Sequence, residues 1–115
     1  MRKLKISYDP ELEAKIEDLV MRAKNGDNEA FEELSDHYMS LIEIYANFFG
    51  HNAEIPKEYL VNYGRIGLSI AVKEFETTMT CNFSSLATSV IADNIMNGVD
   101  EWQAKLDAEK EDFEG

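Results

Sequence analysis

Few residues of this chain are of the types that catalysis or metal binding requires. The histidines are His37 and His51, and neither has a second His or a Cys at the spacing that a zinc site uses. Neither lies beside a candidate nucleophile in a recognisable motif, so we expect both on the surface or in loops. Cys81 has no Lys, Arg or His next to it to stabilise a thiolate, and we interpret it as a small packing residue.

Carboxylates are abundant, because the chain has 23 Asp and Glu residues. A pair of them could serve as general acid and base, but abundance alone produces such pairs, and a solvated face is the simpler interpretation. A phosphate-binding glycine loop is not indicated, since Gly64 and Gly67 fall inside a helical period rather than between a strand and a helix. We therefore expect no enzyme activity, no metal and no cofactor.

The charge balance argues against a nucleic-acid binder. Acidic residues outnumber the 11 basic ones, the formal net charge is −12, and residues 27–50 and 74–104 contain no Lys or Arg. Because nucleic-acid-binding proteins recruit phosphate with Lys and Arg, we expect no direct DNA binding. The acidity either solvates a helical surface or serves to meet a basic partner.

The length fits one domain, residues 1–115, with residues 1–8 and about 104–115 as candidates for flexible ends. The first residues lack the apolar stretch of a secretory signal, and a single cysteine forms no internal disulfide. Apolar runs are far shorter than the roughly 20 residues that span a membrane. We expect a soluble cytoplasmic protein without membrane contact.

Helical signals begin at Asp9, an N-cap residue followed by Pro10. Gly26 ends the first helix, Asp27 caps a second, and Gly50 ends it. The predicted inward residues recur at helical spacing: Leu12, Ile16, Leu19, Val20 and Ala23 in the first helix, and Phe31, Leu34, Tyr38, Leu41, Ile42, Tyr45, Phe48 and Phe49 in the second.

After a loop over about 51–55, Pro56 opens a third helix, and a fourth starts at Ser84 after a loop over 76–82. Two glycines on the inward stripe of the third helix, Gly64 and Gly67, cost helix stability and so predict close approach of a neighbouring helix. The inward residues are Leu60, Leu68, Ala71, Val72 and Phe75, then Leu86, Val90, Ile91, Ile95, Val99, Trp102 and Leu106. The predicted fold class is all-α, a compact bundle of about four helices.

Three stretches occur in an order that resembles region 2 of bacterial RNA polymerase sigma factors. They are AKNGDNEAFEEL at 23–34, LVNYGRIGL at 60–68 followed by Ala71 and Phe75, and FSSLA at 83–87. The family domain is a helical bundle that docks on the polymerase clamp and opens the promoter. Short sigma-like regulators of phages and conjugative elements are similar in the first two stretches. The resemblance implies a bundle of this kind and the RNA polymerase core as the protein partner.

The departures from the family pattern lie at its functional positions. In the clamp-docking helix, Tyr59, Asn62 and Tyr63 replace an acidic residue, a glutamine and a glutamate, so we predict a partner-binding face of Tyr59, Asn62, Tyr63 and Arg65. In the promoter-melting helix the family's stacking aromatics and basic contact are absent, and Asp93 carries a negative charge there. This helix should not capture an unpaired strand.

Three functions remain open on the sequence. The first is a sigma-like, transcription-associated protein that binds the polymerase clamp without melting DNA. The second is an acidic inhibitor from a mobile element, whose carboxylates at Glu29, Glu32 and Asp36 imitate phosphates and block a nucleic-acid-binding enzyme such as a defence nuclease. The third is a structural or oligomerising helical module. No counterpart of the family's promoter-reading region 4 occurs in these residues, so we do not expect a sigma factor that works alone.

Overall fold

The four predicted helices all form. The computed structural model describes residues 9–51 and 54–114, with side chains as far as residue 109. The elements are α1 (Pro10–Lys24), α2 (Asn28–Gly50), α3 (Lys57–Glu74) and α4 (Phe83–Glu114), and the described ranges contain no strand. The all-α bundle is therefore confirmed. The prediction of a flexible segment at 1–8 lies outside the described residues.

Side-chain caps set the start of the first two helices, as the sequence predicts. The Asp9 carboxylate accepts hydrogen bonds from the backbone N–H of Glu11 and of Leu12, at 3.0 and 3.3 Å. The Asp27 carboxylate accepts one from the Ala30 N–H at 3.1 Å. Gly26 adopts a φ of +98°, a backbone conformation that side chains disfavour, and this permits the tight turn between α1 and α2.

The core runs through all four helices. Its fully buried members include Val20, Leu34, Ile42, Leu60, Leu68, Phe75, Phe83, Ile91 and Ile95. The prediction that Phe48 faces inward is wrong, because its side chain is 73% exposed. Ala46 and Gly50 take the inward positions at this end of α2, and Phe48, two residues from each, falls on the other side of the helix. Leu12 is likewise exposed.

Close packing of α3 against its neighbours depends on glycine. A Cβ built at Gly64 would stand 2.6 Å from Cγ2 of Ile42 in α2 and 3.3 Å from Cδ1 of Ile95 in α4. One built at Gly67 would lie 3.0 Å from both the Ile91 Cα and the Val90 carbonyl oxygen. The prediction of close helix approach at both glycines is confirmed.

The fourth helix begins one residue before the predicted Ser84, at Phe83. Phe83 is fully buried, with its ring centroid 5.5 Å from that of Phe75 and 5.9 Å from that of Tyr38. Ala87 is buried as well, although the sequence pattern did not select it. The helix continues through the acidic C-terminal residues to Glu114.

The interpretation of Cys81, in the loop between α3 and α4, as a packing residue is wrong. Its side chain is exposed, because Phe75 and Phe83, which flank the loop, fill the core there. Both histidines are exposed as predicted. Within the described ranges, no helix combines the length and the apolar character needed to cross a bilayer.

Candidate protein-binding surface on α3

Two of the predicted partner-binding residues, Tyr59 and Tyr63, lie one turn apart on the side of α3 that packs against α4. Their ring centroids are 5.2 Å apart, and the Tyr59 ring stands 5.1 Å from the Trp102 ring. The Lys105 ammonium lies 5.7 Å from the centre of the Tyr59 ring. Both tyrosines are half-buried. They therefore contribute to helix packing as well as to the surface.

Tyr63 is also bound through its hydroxyl group. This group donates a hydrogen bond to the Glu101 carboxylate of α4, and the pKa of Tyr63 is raised, first by that bond and then by the Tyr59 hydroxyl. The ring lies over Gly98, where a Cβ would stand 2.7 Å from Cδ2 of Tyr63. The side chain thus bridges α3 and α4.

The other two predicted residues, Asn62 and Arg65, lie on a different side of α3. Arg65 Nη2 is 3.3 Å from Oε1 of Glu32 in α2, and the two side chains are 40% and 64% exposed. An ion pair this open to solvent contributes little to stability, about 0–1 kcal/mol. The structure therefore divides the predicted set into two pairs.

Asn62 and Arg65 border a groove between the end of α1, the start of α2 and the outer side of α3. Its volume is about 560 Å³, and its lining includes Lys24, Phe31, Asn62, Arg65, Ile66 and Lys73. Ile66 is 52% exposed, which makes it the most exposed large apolar side chain of α3 in the described residues. An apolar side chain surrounded by polar and charged groups is the usual composition of a protein interface.

Ile66 did not enter the set predicted from sequence. The signal was present, because Ile66 follows Asn62 by four residues and is not part of the inward stripe of α3. Phe31 was predicted to face inward, and its half-buried ring both packs on the core and lines the groove. Lys24 carried no sequence signal for this role, because its proximity to Arg65 arises only when α1 packs on α3. Lys73 lies eight residues after Arg65 on α3, so helical spacing alone places both on one side of that helix.

The acidic residues of the alternative prediction share one face of α2. Glu29, Glu32 and Asp36 follow one another at intervals of three and four residues, and all three are exposed. They lie opposite the buried side of α2 formed by Leu34 and Ile42. Since Glu32 pairs with Arg65, this acidic face adjoins the groove.

In the part of the chain that the structure describes, no group of at least three His, Cys, Asp or Glu residues could hold a metal ion. This arrangement is suited to recognition of a partner. It offers hydrogen-bond donors, a basic and an acidic patch that adjoin each other, and the exposed apolar side chain of Ile66.

The chain matches no protein-family model, no curated protein and no solved structure. The resemblance to sigma region 2 therefore stays a prediction.

Proposed function

We propose that this protein is a sigma-region-2-like, transcription-associated domain that binds a protein partner, the RNA polymerase clamp, and has no promoter-melting activity of its own. The observation that carries the proposal is the exposed Ile66, set between Asn62 and Arg65 at the rim of a groove. Apolar anchors in such settings dominate the energetics of many interfaces. The polymerase clamp is the partner that the sequence resemblance implies.

The location of the resembling stretches supports the same proposal. They form the turn between α1 and α2, the body of α3 and the start of α4. Gly64 and Gly67, which belong to the second stretch, lie at close contacts of α3 with α2 and α4. The residues that match the family pattern therefore form contacts between the helices, whereas the residues that depart from it lie largely on the surface of the bundle.

The absence of melting activity follows from the residues along α4. Ser89 and Asp93 are exposed on this helix, and neither is aromatic or basic. Stacking on an aromatic ring contributes roughly 1–3 kcal/mol per base, and an exposed carboxylate repels phosphate. Over residues 83–100, this helix exposes neither an aromatic ring nor a basic side chain that could hold an unpaired strand.

The test is binding of the purified chain to RNA polymerase core, measured by biolayer interferometry. Replacing an anchor costs about 2 kcal/mol or more, which corresponds to about thirty-fold weaker binding, so we expect a loss of this size for Ile66→Asp. Ile44→Asp is the matched control, because Ile44 is 62% exposed on α2 and does not line the groove. If core polymerase does not bind, or if both variants weaken it equally, the proposal is wrong.

A second candidate function, a phosphate-mimicking inhibitor, is favoured by the exposed acidic face of α2. Three carboxylates at Glu29, Glu32 and Asp36 present a row of negative charge that a nucleic-acid-binding groove would accept. The protein would then inhibit DNA cleavage by a bacterial defence nuclease, and inhibition would weaken steeply with added salt, because exposed charges are screened beyond about 8 Å at physiological ionic strength.

Charge reversal distinguishes this function from clamp binding. Changing Glu29, Glu32 and Asp36 to Lys should abolish inhibition, whereas changing Glu76, Asp93 and Asp100 to Lys, which are exposed on other segments, should not. Equal loss in both triple variants would show that net charge alone, and not the α2 face, governs inhibition.

A further inference from the structure

The groove beside α3 differs in charge from the rest of this acidic protein. Cations are about a third of the charged residues of the chain, yet the charged residues that line the groove are Lys24, Arg65 and Lys73, with no carboxylate among them. Three smaller grooves on the described surface each include at least one carboxylate. The groove beside α3 is therefore a local positive site on a protein of net charge −12.

Each of the three cations keeps capacity to bind an incoming anion. The Lys24 ammonium donates one hydrogen bond, at 2.7 Å, to the carbonyl oxygen of Phe75, and an ammonium has three donors. Arg65 meets Glu32 through one nitrogen at 3.3 Å, while a guanidinium has five N–H donors. Lys73 is exposed in the last turn of α3.

The groove also offers apolar contact. Phe31 presents a half-buried ring from α2, and Ile66 presents a half-exposed side chain from α3. A free inorganic anion would leave this apolar surface uncovered. A chain segment that carries both carboxylates and an apolar side chain would use the cations and the apolar surface together.

We infer that the groove binds an acidic peptide segment with an apolar anchor residue, contributed by a partner protein. The inference rests on the proposed function to the extent that the chain binds a protein through α3, but it does not require that this protein be polymerase. In the bound state, Arg65 exchanges its exposed contact with Glu32 for a partner carboxylate, Lys24 and Lys73 bind further carboxylates, and the anchor covers Ile66 and Phe31.

The test is selection from a random twelve-residue peptide library on the immobilised full chain. The peptides are counter-selected against a variant that carries Arg65→Gln and Lys73→Gln. These substitutions remove charge and keep polar side chains of similar reach, and neither residue is buried. The matched control carries Lys57→Gln and Lys105→Gln, two exposed cations outside the groove.

The expected peptides have net negative charge and an apolar residue, and the Arg65/Lys73 double variant should bind them about ten-fold more weakly or worse, a loss of roughly 1.4 kcal/mol. The Lys57/Lys105 double variant should change their binding less than about two-fold. Peptides that depend on Arg65 and Lys73 but are neutral or basic would overturn the inference, as would a failure to obtain any peptide that depends on these residues.

Two further measurements complete the test. Replacement of the apolar residue of a selected peptide by serine should weaken binding, and unchanged binding would reduce the groove to a simple anion site and overturn the inference. A dimer of the chain that dissociates in the Arg65/Lys73 variant would assign the groove to a second copy instead of a partner. The polymerase assay uses Ile66→Asp and polymerase itself, so the two proposals are tested separately. The chain can bind acidic peptides without binding polymerase, and it can bind polymerase without binding acidic peptides.

Discussion

Gly67 of α3 lies directly against the backbone of Ile91 in α4. A Cβ at Gly67 would approach the Ile91 Cα to 3.0 Å, a distance that backbone atoms, unlike the end of a flexible side chain, cannot easily relieve. The two helices share the most extensive packing in the bundle, so this contact sets how closely they approach. The face of α3 that carries Ile66 is held in place by the same contact.

Substitution of either α3 glycine by leucine should destabilise the fold. Overpacking of this kind costs typically 1–3 kcal/mol, and thermal or urea unfolding would measure it. Gly67→Ala should be milder than Gly67→Leu, since alanine recovers about 1 kcal/mol of helix propensity against the tight contact. Ala14→Leu, at an exposed position of α1, is the control. Unchanged melting temperatures for both Gly64→Leu and Gly67→Leu would contradict the packing described.

The Asp27 cap should make stability depend on pH. The pKa of Asp27 is lowered, chiefly by the hydrogen bond from the Ala30 N–H and then by the Arg22 guanidinium. A lowered folded-state pKa means that its stabilising contribution is present above the unfolded value of about 3.9 and is lost as the pH falls through the folded value. Urea unfolding at pH 7 and at about pH 3 would measure this contribution.

Two substitutions at Asp27 isolate its charge from its capping role. Asp27→Asn keeps a capping oxygen, so it should lose part of the pH dependence and less stability at pH 7 than Asp27→Ala, which removes the cap. If Asp27→Asn and the parent chain respond identically to pH, the charge of Asp27 is not involved.

Two substitutions at Tyr63 should distinguish its contribution to helix packing from its contribution to partner binding. Tyr63→Phe keeps the ring over Gly98 and loses the hydrogen bond to Glu101 together with the long contact, at 3.5 Å, to the Tyr59 hydroxyl, so the free energy of unfolding should fall by about 1 kcal/mol. Tyr63→Ala also loses the ring contacts and should cost about 1–3 kcal/mol. If Tyr63 is a binding anchor, Tyr63→Ala should in addition weaken polymerase binding by about 2 kcal/mol or more under conditions where it remains folded.

Tyr63 should also make the stability of the fold depend on pH in the alkaline range. Because the folded-state pKa of Tyr63 is raised, the hydrogen bond to Glu101 contributes fully below the unfolded value of about 10 and is lost as the pH rises above it. The stability difference between the parent chain and Tyr63→Phe should therefore shrink above about pH 10. A difference that stays constant up to the alkaline limit of folding would argue against the bond.

Isolated protein should not bind promoter-length DNA, single- or double-stranded, at physiological salt. The net charge of −12 repels phosphate, and Ser89 and Asp93, which are exposed on α4, offer neither a stacking surface nor a positive charge. A gel shift with labelled DNA and excess competitor measures this directly. Binding of sub-micromolar affinity that survives the competitor would show that the protein contacts DNA by another surface.

Local chemistry in the sequence was enough to place the start of α1 and the turn between α1 and α2. Asp9 and Asp27 cap helices because their short side chains reach backbone N–H groups two or three residues on, and Gly26 permits the left-handed turn between them. The apolar period likewise identified the middle of each buried stripe. The start of α4 was misplaced by one residue, because the cap at Asn82 was overlooked: its side-chain oxygen accepts a hydrogen bond from the Ser85 N–H at 2.9 Å, which places the first helical residue at Phe83.

The helical content and the positions of the α3 glycines follow from the sequence alone, since capping and spacing are properties of neighbouring residues. The tertiary structure decided which side chains share a surface. It placed Tyr59 and Tyr63 against α4 and left Phe48 and Cys81 exposed. It also brought Lys24 of α1 and Phe31 of α2 to the side of α3 that carries Ile66. The physical reason is that a helix repeat determines which residues share a face, whereas only the packing of α1, α2 and α4 around α3 determines what covers each face.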